Sequence, residues 1–194
     1  MSQLHHARRG STRPDPRRSI PSPARTSVRL MADLTTSQKG AVAEAEVAAA
    51  AIRMRLLVLR PWTEGGRYDL GIDIGKQLLR VQCKWASQQG DVLTARCATC
   101  RHTPRGYLRT TYAASEVDAI GLYAPSADRC YLVPIDEVKG LAVLRLRMAP
   151  TRNNQALGIR WAREYEIRTS LRRHWGVECP PEAPHAERAL RAIR

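Results

Sequence analysis

Arg67-Tyr68-Asp69-Leu70-Gly71-Ile72-Asp73-Ile74-Gly75-Lys76-Gln77-Leu78-Leu79-Arg80-Val81-Gln82-Cys83-Lys84-Trp85 reads as a β-hairpin. Gly75-Lys76 fits a two-residue loop, because glycine at its first position supplies the positive φ of a type II′ turn. With that loop Ile74 faces Gln77, Ile72 pairs with Leu79, Leu70 pairs with Val81, and Asp69 falls opposite Gln82. The apolar partners then share one face, while Asp69, Gln82 and Lys84 share the other. Opposed β-carbons lie about 5 Å apart. A carboxylate, an amide and an ammonium therefore converge on one small volume.

Upstream, Asp33 to about Arg55 is rich in Ala with Glu, Met, Arg and Leu, and Thr35, Thr36 or Ser37 can cap its start, which predicts the main helix. Leu56 to Leu59 is a short apolar run stopped by Arg60-Pro61. Downstream, strands are expected at Asp91–Cys97, Tyr107–Tyr112, Asp118–Tyr123, Cys130–Pro134 and Ala142–Arg147. A short helical turn is expected at Ser115-Glu116, another turn at Ile135 to Val138, and a last helix over 161–173.

The converging side chains suit phosphodiester hydrolysis. In-line attack by water is helped by a hard cation on oxygen ligands, which activates the water and offsets charge on the phosphate. Asp69 supplies a negative ligand and Gln82 a neutral oxygen. Lys84 can orient or deprotonate the nucleophile, or stabilise the anionic transition state. The helix offers a second carboxylate, Glu44 or Glu46; two residues apart, they point to nearly opposite sides, so only one can face the hairpin. Each residue alone also has an ordinary surface reading, Asp69 as a partner of Arg67 or Arg80 for example. The joint arrangement is what points to chemistry.

The bulk properties agree. The 194 residues suit one domain with tails, and 32 Lys and Arg against 18 Asp and Glu leave a net charge of +14. Most of the excess is arginine, which favours nucleic acid as the partner. Residues 1–30 hold seven arginines, one acid and four prolines and are expected to form a disordered basic arm; Met31 is the favoured natural start. Residues 31–173 form the domain, and 174–194 are expected to be a flexible tail. Between Val92 and Ser115 there are four arginines and no acid. Arg96, Arg101, Arg105 and Arg109, with Arg67 and Arg80 from the hairpin, are the expected DNA contacts. Asn153-Asn154-Gln155 fits either base contacts or a polar loop. Five dispersed cysteines and no apolar run long enough for a membrane span place the protein in the cytoplasm. Cys97-Ala98-Thr99-Cys100-Arg101-His102 has half of a zinc spacing without a second half nearby, so these cysteines read as small core residues. Trp161 and Tyr165 read as core or subunit-contact residues.

Lys39-Gly40-Ala41-Val42-Ala43-Glu44, Arg60-Pro61, Tyr68-Asp69-Leu70 and Val81-Gln82-Cys83-Lys84 together resemble the PD-(D/E)XK nucleases. They are most similar to the group I intron homing endonucleases in which glutamine replaces the second motif acid. Glu116 to Ile120, Cys130 to Pro134, and Asn153-Asn154-Gln155 with Trp161-Ala162 extend the likeness over about residues 37–170. The resemblance implies an α/β restriction-endonuclease-like fold of order αβββαβ, a mixed sheet flanked by helices. It implies metal ligation by Glu44, Asp69 and the backbone carbonyl of Cys83, with Gln82 and Lys84 completing the catalytic set. It further implies Mg²⁺ or Mn²⁺ as cofactor, and double-stranded DNA as substrate of a homodimer or higher homo-oligomer. Tyr68 stands where the name-giving proline would be, and Gln82 removes one negative charge. A catalytically weakened DNA-binding protein on the same fold and a junction-specific nuclease are the alternatives.

Overall fold

The computed structural model describes residues 33–180 except 64, 105 and 151–156, with the backbone alone over 99–103 and 107–109. The basic arm, Met31, Arg105, Asn153-Asn154-Gln155 and the chain from 181 onward lie outside the described residues. The element order is α1 (Thr36–Arg53), β1 (Leu57–Leu59), β2 (Leu70–Asp73), β3 (Leu78–Trp85), β4 (Ser87–Gln89), β5 (Val92–Arg96), β6 (Ala98–Thr103), β7 (Gly106–Thr111), β8 (Ala119–Ala124), β9 (Arg129–Pro134), β10 (Val143–Arg147) and α2 (Ile167–Trp175).

Helix α1 begins with a capping box: the Gln38 N–H donates to Thr35 Oγ1 at 3.3 Å and the Thr35 N–H to Gln38 Oε1 at 2.9 Å. Ala43, Val47 and Ala51 recur every four residues and are its buried stripe. That stripe rests on a five-stranded sheet of order β1-β2-β3-β8-β9, in which only β3 and β8 run parallel. Gly121 of β8 lets the helix come this close. A β-carbon there would stand 2.9 Å from Val81 Cγ1 and 3.1 Å from Val47 Cγ1.

The other face of the sheet packs on a second, three-stranded sheet of order β10-β5-β4 through Ile120, Leu122 and Val133 against Leu93, Leu144 and Leu146. The result is the mixed α+β arrangement with two helices that the resemblance implies. It differs in one connection. Where a helix was expected between the third strand and its parallel partner, the described chain makes four short strands, β4 to β7, and a turn at Ser115. The crossover that a parallel pair requires is thus built from strands. The C-terminal boundary also moves. α2 continues to Trp175, and Val177 and Cys179 pack against the α1 core, so the ordered body reaches past 173.

Candidate active site

The hairpin folds in the expected register. Leu70 pairs with Val81 and Ile72 with Leu79, the Ile74 N–H donates to the Gln77 carbonyl at 3.1 Å, and Gly75 has φ +82°. Leu70, Ile72, Leu79 and Val81 are buried towards α1. Alternation therefore turns Gln82 and Lys84 to the opposite side.

Asp69 precedes β2 and turns into β3. Its Oδ2 accepts the Cys83 backbone N–H at 2.7 Å and a hydrogen bond from the Gln82 amide nitrogen. A carboxylate only accepts, so the Gln82 nitrogen faces Asp69 and its carbonyl oxygen is turned away. The β2–β3 ladder ends at Leu70–Val81, so no strand faces Cys83 on that side. Its carbonyl leaves the strand on the same side as the N–H that Asp69 accepts.

Of the two helix acids, Glu44 joins this group. Burial raises its pKa first, the charge of Asp69 raises it further, and Arg60 and Lys84 oppose. Glu46 lies instead beside Tyr123 and Cys130, whose titrations it perturbs. Burial likewise raises Asp69, against the Cys83 hydrogen bond and the charges of Lys84 and Arg60. Lys84 is held with its Nζ 5.4 Å from the centroid of the Tyr112 ring, whose neighbour Arg67 lies at 4.9 Å. Glu44, Asp69, Gln82 and Lys84 are thus brought together. The donor set is hard: two carboxylates and a backbone carbonyl, which suits Mg²⁺ or Mn²⁺. Among the described residues no group of three or more His, Cys, Asp and Glu gathers as a metal centre. Here two acids are supplemented by a ligand type outside that set.

The raised carboxyls make a testable stability signature. A carboxyl whose folded pKa lies above its unfolded value costs nothing below the unfolded value, and its penalty grows as pH rises through the folded one. In chelator at pH 7.5, Asp69→Asn should therefore melt a few degrees above the unsubstituted protein, and the gap should close towards pH 4. Thermal denaturation at the two pH values checks this. A variant less stable at both contradicts it.

Arg67 and Arg80, expected at the DNA, are instead committed internally. Arg67 pairs with Glu116 Oε2 at 2.8 Å and donates to the Thr111 carbonyl at 3.3 Å. Arg80 grips Asp118 through Nε at 3.0 Å, Nη2 at 2.9 Å and its backbone N–H at 2.7 Å, and also donates to the Ser115 and Ala114 carbonyls. Burial pushes Asp118 up, but these bonds outweigh it and hold the carboxyl below its usual range. Both arginines tie the loop ahead of β8 to the hairpin, and neither pairs with Asp69. Arg96 is exposed on β5. In the β6–β7 ribbon Arg101 pairs with Leu108 and Arg109 with Cys100, so those two arginines do not face each other across the strands.

Cys97 is 1% exposed in the core, and burial pushes its thiol up to about 11. The half-zinc spacing therefore lacks a ready thiolate at its first position. Tyr165 is a core residue, its hydroxyl donating to Glu137.

Two contributors were missed by sequence reasoning. Arg60 reaches from the end of β1 to Glu44 Oε2 at 3.1 Å, and Tyr112 lies beneath Lys84. Arg60-Pro61 is visible in the sequence as the stop to a short apolar run, but the ion pair needs the tertiary fold.

Comparison with known proteins bears on the family and the fold. The family described as PD-(D/E)XK endonuclease matches residues 34–168. A solved bacterial homing endonuclease, I-Ssp6803I, superposes with a TM-score of 0.58 at 23% identity, over 69% of this chain and 89% of its own. No curated protein matches.

Proposed function

The chain belongs to the PD-(D/E)XK endonuclease family, and from that premise we propose that it hydrolyses phosphodiester bonds of double-stranded DNA. Glu44, Asp69, Gln82 and Lys84 form the proposed catalytic set. The observation that carries the proposal is the Asp69–Gln82 pairing, with the Cys83 N–H on Asp69 and the Lys84 charge acting on both Asp69 and Glu44.

Glu44, Asp69 and the Cys83 carbonyl would hold Mg²⁺ or Mn²⁺, with Gln82 holding the Asp69 carboxylate in place through its amide nitrogen. When bound, the ion supplies charge neutralisation at the phosphate and a more acidic water. Lys84, kept in place by Tyr112, orients the attacking water and stabilises charge on the phosphate. Arg60 pairs with Glu44 and offsets its charge. Two strands require two cuts, and one compact site per chain makes a symmetric homodimer or higher oligomer the economical assembly. The four described cysteines are free thiols, in keeping with a cytoplasmic setting. Among the described residues no helix is long and apolar enough to cross a membrane.

The test is a pool of duplexes with a randomised centre, incubated with the full-length protein in Mg²⁺ or in chelator, and sequenced at the new ends. Ends that appear only with metal and share a sequence are expected. Gln82, neutral where an acid is usual, favours a second reading: a protein that binds DNA and has lost cleavage. That reading gains if the protein retains duplexes but makes no new ends in either Mg²⁺ or Mn²⁺.

A further inference from the structure

The second sheet carries a surface that the cleavage site does not use. β5 and β10 bury Leu93, Ala95, Leu144 and Leu146. Alternation puts Thr94, Arg96, Arg145 and Arg147 on the outer face. On that face the register sets Gln89 and Arg147 on either side of Val92, and Ser87 and Arg145 on either side of Thr94. A cleft of about 410 Å³ opens there. Its second wall is the chain at Gly158 to Arg160, held beside β10 by the bond from the Arg147 N–H to the Arg160 carbonyl at 2.8 Å. Val92, Val143 and Ile159 contribute apolar lining, and Arg145, Arg147 and Arg160 contribute charge.

These guanidinium groups carry no counter-charge of their own among the described residues. Arg60, Arg67, Arg80, Arg129 and Arg173 each have a carboxylate partner. Among the described residues Arg96, Arg145, Arg147 and Arg160 have none. Two of them are nonetheless fixed, Arg147 by its Nε on the Ala149 carbonyl at 2.9 Å and Arg160 by an Nη2 on the Glu137 carbonyl at 3.0 Å. Each such bond uses one of five donors. The Glu137 carboxylate is engaged elsewhere, by the Tyr165 hydroxyl.

Cations preset without counter-charges are a phosphate-holding arrangement. Arg145 and Arg147 stand two strand residues apart, about 7 Å, which is two phosphate steps of rise along one DNA strand. The surface is also tied to the cleavage site. β3, which carries Gln82 and Lys84, runs through Ala86 directly into β4.

We propose that the outer face of the β4–β5–β10 sheet is a second DNA-contact surface, where Arg145, Arg147 and Arg160 grip the backbone of the duplex flanking the cut. This inference rests on the nuclease reading above.

The test is anisotropy of a labelled 30-base-pair duplex of random sequence, titrated in chelator with the full-length protein over a range of salt. Arg145→Ala/Arg160→Ala should bind roughly 10- to 100-fold more weakly near physiological salt, with the slope of log K against log salt reduced by about two. Arg53→Ala/Arg172→Ala removes the same charge from exposed helix positions and should stay within about twofold of wild type. In wild type, duplex should protect Arg145 and Arg160 from an arginine-directed reagent read by peptide mass spectrometry, a readout that needs no folded variant. Equal losses in the two double variants, or no protection, would overturn the inference and leave the nuclease reading standing. A wild-type protein that binds no duplex overturns both.

Discussion

Lys84→Ala is expected to lower single-turnover cleavage by about 10³-fold or more while duplex affinity stays within a few-fold. Lysine is the one cation of the catalytic set, and its charge acts on both Glu44 and Asp69. Groups that stabilise charge developing in the transition state commonly contribute 10² to 10³ in rate, and proton transfer or water positioning adds to that. The side chain rests against Tyr112 and makes no ion pair among the described residues, so its removal should leave the hairpin register intact. Lys84→Arg should rescue little, because a planar fork on a longer stem presents its donors differently over the same ring. Gel retardation and single-turnover kinetics on a duplex recovered from the randomised pool separate binding from chemistry. Cleavage by Lys84→Ala at the wild-type rate would remove Lys84 from the mechanism.

The second large effect concerns stability. Gly121→Ala is expected to cost about 1–3 kcal/mol, and Gly121→Val more, because helix and sheet approach each other across a missing side chain. The added β-carbon would meet Val81 Cγ1 at 2.9 Å and Val47 Cγ1 at 3.1 Å. Both valines are fully buried and have little room to shift. At this chain length the alanine variant should melt roughly 4–10 °C lower. Val47→Ala opens space on the helix side, so Gly121→Ala/Val47→Ala should lose less than the sum of the two single changes, with a coupling above about 0.5 kcal/mol. Strict additivity, or a Gly121→Ala protein that melts with wild type, would show that the contact is not limiting.

The catalytic strand pair was legible because two independent local signals agree there. Gly75-Lys76 defines the loop, and the alternation of Leu70, Ile72, Leu79 and Val81 defines the buried face. Each reinforces the register that pairs Leu70 with Val81, from which the Asp69 side chain reaches Gln82. The choice between Glu44 and Glu46 was not local. It depends on which side of α1 meets the sheet, and that is decided by the buried stripe Ala43, Val47 and Ala51, with Val47 against Gly121.

The arginines were harder for the same reason. Arg67 and Arg80 look like free cations beside the hairpin, yet their partners Glu116 and Asp118 stand 49 and 38 residues downstream. β4 and β6 escaped detection because Ser87-Gln88-Gln89 and Ala98 to Thr103 lack apolar alternation; they are strands by virtue of pairing with β5 and β7. Arg145 and Arg147, conversely, were visible as polar positions of a strand. Their meeting with Arg160 depends on the chain returning beside β10.

The central claim is that Glu44 and Asp69 hold a divalent cation beside Lys84. Isothermal titration of Mn²⁺ into the full-length protein tests it most directly, with Glu44→Gln and Asp69→Asn alongside. The account predicts saturable binding by wild type, and loss of about tenfold or more in affinity in each variant. No Mn²⁺ binding by wild type, or equal binding by all three proteins, would contradict it.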